Sequence, residues 1–127
     1  MKLSIDCVKD IIAAVENKAF GETFTISNLA SQIHYSENQL EYTCLKLYEA
    51  GYLDITTVTV PRRTVPGIYS INELTYAGHE FLGTISSNKV LETTKKICYE
   101  IGISSLKGVS QVAVGVLDNL IKSFCIF

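Results

Sequence analysis

The amino-acid sequence predicts a mainly helical fold with one small antiparallel β-hairpin. Apolar residues recur at helical spacing in six segments. One run, residues 53–60 (LDITTVTV), has the β-branched composition of a strand. After it, Pro61-Arg62-Arg63-Thr64-Val65-Pro66-Gly67 reads as a loop, since its prolines lack the N–H a central strand needs, and residues 68–71 return as the second strand. At 127 residues, 47% hydrophobic and 19% charged, the chain is long enough to close one core of ordinary globular composition.

The first helix is expected over residues 4–17, where Ile5, Val8, Ile11, Ile12 and Val15 form one apolar stripe and Ser4 or Asp6 can cap the start. Phe20-Gly21-Glu22 breaks the pattern. Thr25 caps a short second helix over 26–32, with Leu29, Ala30 and Ile33 inward. His34-Tyr35 makes the turn. Ser36 caps the third helix, and Gln39 stands at capping-box spacing from it. Leu40, Cys44 and Leu47 are its buried stripe, with Leu45 and Tyr48 at the margins, and Gly51 ends it as a C′ glycine. Thr75 caps a fourth helix with Phe81, Leu82 and Ile85 inward. A fifth helix over 89–101 shows Val90, Leu91, Thr94, Ile97, Cys98 and Ile101 on one side. A sixth, over 105–124, carries Leu106, Val109, Ala113, Val116, Leu117, Leu120 and Phe124, with Val112, Val114, Ile121 and Cys125 widening that face. Two parts are expected: residues 1–85, and a helical extension over 86–127 that either packs on the same domain or dimerises.

Neither terminus reads as a membrane segment. The start, Met1 to Asp6, has no apolar run, and residues 109–127 are interrupted by Ser110, Gln111, Asp118, Asn119 and Lys122. Cys7, Cys44, Cys98 and Cys125 form no C-x-x-C pair and have no metal-ligand spacing to His34 or His79, so reduced thiols in a cytoplasmic protein are expected. No cofactor is implied. His79-Glu80 is the single local acid/base pair, and neighbours on a helix point about 100° apart. His79 is expected to bond a nearby backbone carbonyl. With no phosphate loop, nucleophile elbow or zinc motif, an enzyme is not expected.

The order helix, T-I-x-x-L-A, turn, helix with Leu40 and Leu47, A-G-Y-L and hairpin resembles the winged helix-turn-helix domains of bacterial regulators. That resemblance implies outward, groove-facing positions at Ser36, Asn38, Gln39, Tyr42 and Thr43. A closer resemblance spans nearly the whole chain. Leu74-Thr75-Tyr76-Ala77-Gly78-His79-Glu80-Phe81-Leu82, then Thr94-Lys95-Lys96, then a glycine-bounded apolar last helix, resembles a family of small bacterial and prophage proteins catalogued as a domain of unknown function. It implies a winged helix in the N-terminal part and a mobile-element context, with no catalytic residues.

Two functions fit these residues. In the first, the chain binds double-stranded DNA as a small phage or prophage transcriptional regulator. Asn38, Gln39 and Tyr42 read bases, Ser36, Thr43 and Lys46 assist, and Arg62 and Arg63 grip phosphates or the minor groove. In the second, the same surface holds a protein, as in a phage-encoded modulator of a host or defence complex. Charge keeps the second alive. The net charge is −2, residues 1–51 carry four lysines against seven carboxylates, and the third helix carries Glu37, Glu41 and Glu49 against Lys46. The wide apolar arc of the last helix leads to a further expectation, a homodimer through Val112, Val116, Leu120, Phe124 and Phe127.

Overall fold

The computed structural model describes residues 1–125, the side chain of Cys125 excepted. The elements run α1 (Ile5–Asn17), α2 (Ile26–Gln32), α3 (Glu37–Glu49), β1 (Leu53–Val58), β2 (Gly67–Leu74), α4 (Tyr76–Ile85), α5 (Asn88–Ile101) and α6 (Leu106–Cys125). The protein is therefore mainly helical with one two-stranded antiparallel hairpin. No helix among the described residues is long and apolar enough to cross a membrane.

Side-chain caps set the helix starts. Oγ of Ser4 accepts from the Cys7 N–H, Thr25 from Asn28, Ser36 from Gln39 and Thr75 from Gly78. The expected capping box at Ser36 and Gln39 is only half made. The reciprocal box forms at Thr25, whose backbone N–H reaches Oδ1 of Asn28 at 3.1 Å. α3 ends in a Schellman turn: Gly51 takes φ +82, its N–H bonds the Tyr48 carbonyl at 3.0 Å, and the Tyr52 N–H bonds the Leu47 carbonyl at 2.9 Å. The turn sends the chain straight into β1.

β1 stops at Val58 rather than Val60, and β2 is longer than the sequence suggests, pairing as far as Leu74 with Leu53. Two register shifts leave Tyr69 and Asn72 as extra residues on β2. Such bulges sharpen the twist of a hairpin. The Asn72 amide uses its position to reach Oγ1 of Thr56 at 3.1 Å.

Phe24 pairs with Ile71 through bonds of 2.9 and 2.7 Å, on the edge of β2 away from β1. The sequence gives no warning of this bridge, because one paired residue has no periodicity. Beside it, Nζ of Lys18 meets Oε1 of Glu73 at 2.6 Å, and the Gly21 N–H reaches the same oxygen at 3.3 Å. The Lys18 side chain is 1% exposed. Its bond, with that from Gly21, holds the Glu73 carboxyl below the usual range.

One core joins Val8, Ile11, Ile12 and Val15 of α1 to Leu29, Leu40, Leu47, Ile71 and Ile85, and continues to Cys98, Leu106, Val109 and Ala113. Each fully buried Leu, Ile or Val contributes about 1.5–3 kcal/mol. α4 crosses the foot of the hairpin at Gly78, where an added Cβ would stand 2.1 Å from the Tyr52 carbonyl oxygen. Phe81, one turn on, stacks on Tyr52 with ring centroids 5.0 Å apart.

Two apolar positions depart from expectation. Ile101 is exposed, because α5 ends one residue later at Gly102 and its last turn has left the core. Val116, expected between two chains, is buried within one: it continues the Val109–Ala113 stripe under which the core closes. Cys7, Cys44 and Cys98 are buried free thiols. Burial pushes all three above the ordinary thiol value, Cys44 to about 12. The side chain of Cys125 and all of Phe127 lie outside the described residues.

Candidate functional site

The surface assembled by α3 and the loop between β1 and β2 contains most of the expected contact residues. The helical period sorts them into two groups. Ser36 and Asn38 are exposed, Gln39, Tyr42 and Lys46 are half-buried, and Thr43 is fully buried. Thr43 is a correction. It lies three residues after Leu40 and four before Leu47, so it belongs to the inward stripe. Its hydroxyl donates to the Gln39 carbonyl at 2.8 Å, which satisfies it without solvent. The polar residue type pointed outward; the period placed it inward.

Ser36 is occupied as a cap, accepting from the Gln39 N–H at 3.2 Å. Lys46 sits 5.6 Å above the centre of the Tyr42 ring and 3.1 Å from a Glu49 carboxylate oxygen. Glu37 accepts from the Ser27 hydroxyl at 3.4 Å. Much of the polar surface of α3 is thus already partnered from within the chain.

The hairpin tip treats its two arginines differently. Residues 60–63 form a turn closed by the Arg63 N–H on the Val60 carbonyl at 3.2 Å. Pro61 holds the second position, and Arg62 the third with φ +65. These are the features of a type II turn, whose third position favours glycine. An arginine held there carries backbone strain on the order of 1 kcal/mol. Arg62 is exposed and has no ion-pair partner among the described residues. Arg63 folds back, its guanidinium bonding the Glu41 carboxylate and the Pro66 carbonyl. That ion pair brings the loop onto α3.

Between them lies a cavity of about 260 Å³ lined by Met1, Asn38, Glu41, Tyr42, Arg63 and Val65. Tyr42 also lines a neighbouring cavity of about 390 Å³ with Leu3, Lys46, Glu49, Ser104 and Leu106. Sequence reasoning missed both walls of this second space, the N-terminal residues before α1 and the turn between α5 and α6. Neither carries a motif; only packing brings them to α3.

His79 is exposed on α4; its backbone N–H bonds the Thr75 carbonyl, and the side-chain bond expected of it is not made among the described residues. No His, Cys, Asp and Glu group with metal-holding geometry occurs among the described residues.

On α6, Val112 and Leu120 are half-buried, while Val114, Ile121 and Phe124 are exposed. The uncovered apolar side is therefore displaced from the one expected.

The polypeptide is a helical domain with an outward helix and a loop-bearing hairpin set against it. It belongs to the family described as hypothetical protein DUF2513, whose model matches residues 2–104. The match takes in α1 to α5 and ends before α6. Neither the curated proteins nor the solved structures gave a match.

Proposed function

We propose that the chain is a winged helix-turn-helix protein that binds double-stranded DNA, and that it acts as a small phage or prophage transcriptional regulator. The observation that carries this reading is the cavity lined by both Asn38 of α3 and Arg63 of the hairpin loop, with Arg63 paired to Glu41 of α3. A helix able to enter a major groove and a cationic loop able to reach backbone or minor groove are thereby held together. The Phe24–Ile71 bridge supports it, since it fixes the hairpin to the segment between α1 and α2. In this reading Asn38 and Gln39 contact base edges, Tyr42 and Lys46 flank them, and Arg62 meets phosphate first. Thr43 acts from inside, by fixing α3.

Gel-shift titrations over genomic fragments test it. Arg62→Ala with Arg63→Ala weakens binding and lowers the slope of log K against log salt by up to about two, near 0.9 per phosphate contact. If the wild type shifts no fragment at low salt, the reading fails.

A second reading has its own support. Lys46 and Arg63 are neutralised by Glu49 and Glu41, and apolar cavities flank Tyr42. Both features suit a protein contact, in which tyrosine is enriched. A partner retained on the immobilised protein after nuclease treatment, and lost on Tyr42→Ala, favours this reading.

For self-association, the residues available to a second copy are Val114, Ile121 and Phe124 rather than Val116. We propose that they pair two α6 helices. Light scattering on a sizing column that shows a strict monomer at high micromolar concentration removes this part.

A further inference from the structure

The two tip arginines are adjacent in sequence, yet Arg62 has no ion-pair partner among the described residues and Arg63 is held by a carboxylate of the helix that is proposed to read DNA. The Arg63 side chain is 37% exposed and that of Glu41 24%, so the pair is reachable from solvent. Among the described residues Glu41 makes no other side-chain hydrogen bond, whereas the guanidinium keeps a second bond to the Pro66 carbonyl at 3.3 Å. A phosphate can therefore replace Glu41 as acceptor while the contact with Pro66 keeps the arginine oriented. We propose that Glu41 withholds Arg63 from DNA in the free protein, an autoinhibitory contact in which a backbone phosphate must displace an intramolecular carboxylate. The inference rests on the DNA reading above and adds how its cationic loop is controlled.

The chemistry of the exchange is balanced. One guanidinium–carboxylate contact breaks, one guanidinium–phosphate contact forms, and Glu41 returns to water. Arg62, free and held outward by its turn, makes the first contact; Arg63 adds its own only where a phosphate lies within reach of the α3 surface. An encounter through the loop alone thus engages one arginine. Full docking of α3 engages both.

The test is a double-mutant cycle in DNA affinity, using a DNA fragment that the wild type shifts, or a mixed-sequence duplex at low salt if it shifts none. An exposed ion pair restrains a side chain by about 0.2–1 kcal/mol, so Glu41→Gln is expected to tighten binding by up to about fivefold. The slope of log K against log salt should steepen by up to about one unit as Arg63 joins the contact more fully. In an Arg63→Ala background the same change should give a smaller gain, from loss of carboxylate repulsion alone. A gain there as large as in the wild-type background overturns the inference. So does a loss of affinity on Glu41→Gln, which makes Glu41 a positioning residue. If the wild type binds DNA and Glu41→Gln binds identically, only the restraint fails. If neither binds at low salt, the DNA reading fails and the restraint with it. Binding by Glu41→Gln alone supports both. Side-chain nitrogen NMR of the DNA-free protein gives a separate check: an Arg63 signal unchanged by Glu41→Gln refutes the contact.

Discussion

Gly78→Ala should be among the most damaging single-methyl additions in the chain. Its Cβ would stand 2.1 Å from the Tyr52 carbonyl oxygen, whereas ordinary carbon–oxygen contacts begin near ~3.3 Å. About 1 Å of movement is therefore required, and Tyr52 resists it. Its N–H bonds the Leu47 carbonyl at 2.9 Å, its own carbonyl accepts from Thr75 at 3.2 Å, and its ring is stacked on Phe81. Overpacking of this kind costs about 1–3 kcal/mol. Displacing the Thr75 bond adds about 1 kcal/mol. Urea unfolding followed by far-ultraviolet circular dichroism should show a loss of about 3 kcal/mol, with Tm lower by on the order of 10 °C. Gly83→Ala and Gly115→Ala are the controls, for both lie within helices and an added Cβ meets nothing within 4 Å. They should stabilise by about 0.5–1 kcal/mol, because alanine loses less backbone entropy. A Gly78→Ala protein within about 0.5 kcal/mol of wild type would refute the reasoning that α4 is seated by backbone approach.

Three further outcomes follow from the same geometry. The Glu73 carboxyl is held below 4.5, chiefly by Lys18, so its contribution is complete above that value and drains away as pH falls through the lower folded value. Glu73→Gln should therefore flatten the acid limb of a stability–pH curve below pH 4.5. At pH 8, Cys7, Cys44 and Cys98 should label with iodoacetamide only as fast as the protein opens, because all three are buried, and the same burial raises their thiols; peptide mass mapping that shows rapid native labelling at Cys44 would contradict this. Arg62→Gly should stabilise the protein by up to about 1 kcal/mol by relieving a left-handed arginine, while weakening DNA binding. A variant that binds as well as wild type leaves Arg62 without the role assigned to it.

The helices were legible because their signals are local and redundant. Thr25 and Thr75 announce starts that coincide with the caps observed, and the stripe Leu40, Cys44 and Leu47 is buried as its spacing demands. Thr43 shows where residue type misleads: its hydroxyl finds an acceptor one turn back, so polarity did not require exposure. The hairpin was less legible. Its bulges at Tyr69 and Asn72 depend on how two strands fit, and neither strand encodes that alone. The candidate site was read only in part. Arg62 and Arg63 look alike in sequence; the turn that puts Arg62 at φ +65 and the approach of Glu41, 22 positions from Arg63, separate them. On α6, composition showed a wide apolar arc without showing which side the core would claim.

The foot of the hairpin is sealed twice, by the Phe24–Ile71 bridge and by Glu73 holding Lys18 and Gly21 across separations of 55 and 52 residues. Among the described residues, the ion pair that ties the tip to the rest of the molecule is Arg63–Glu41. A cut between Arg62 and Arg63 therefore leaves two pieces still fastened at the foot, each contributing helices to the same core. The chain is suited to being divided there. Two separately expressed fragments, 1–62 and 63–127, should find each other and rebuild the domain, giving a split protein whose reassembly can be made to depend on whatever is fused to its two new ends.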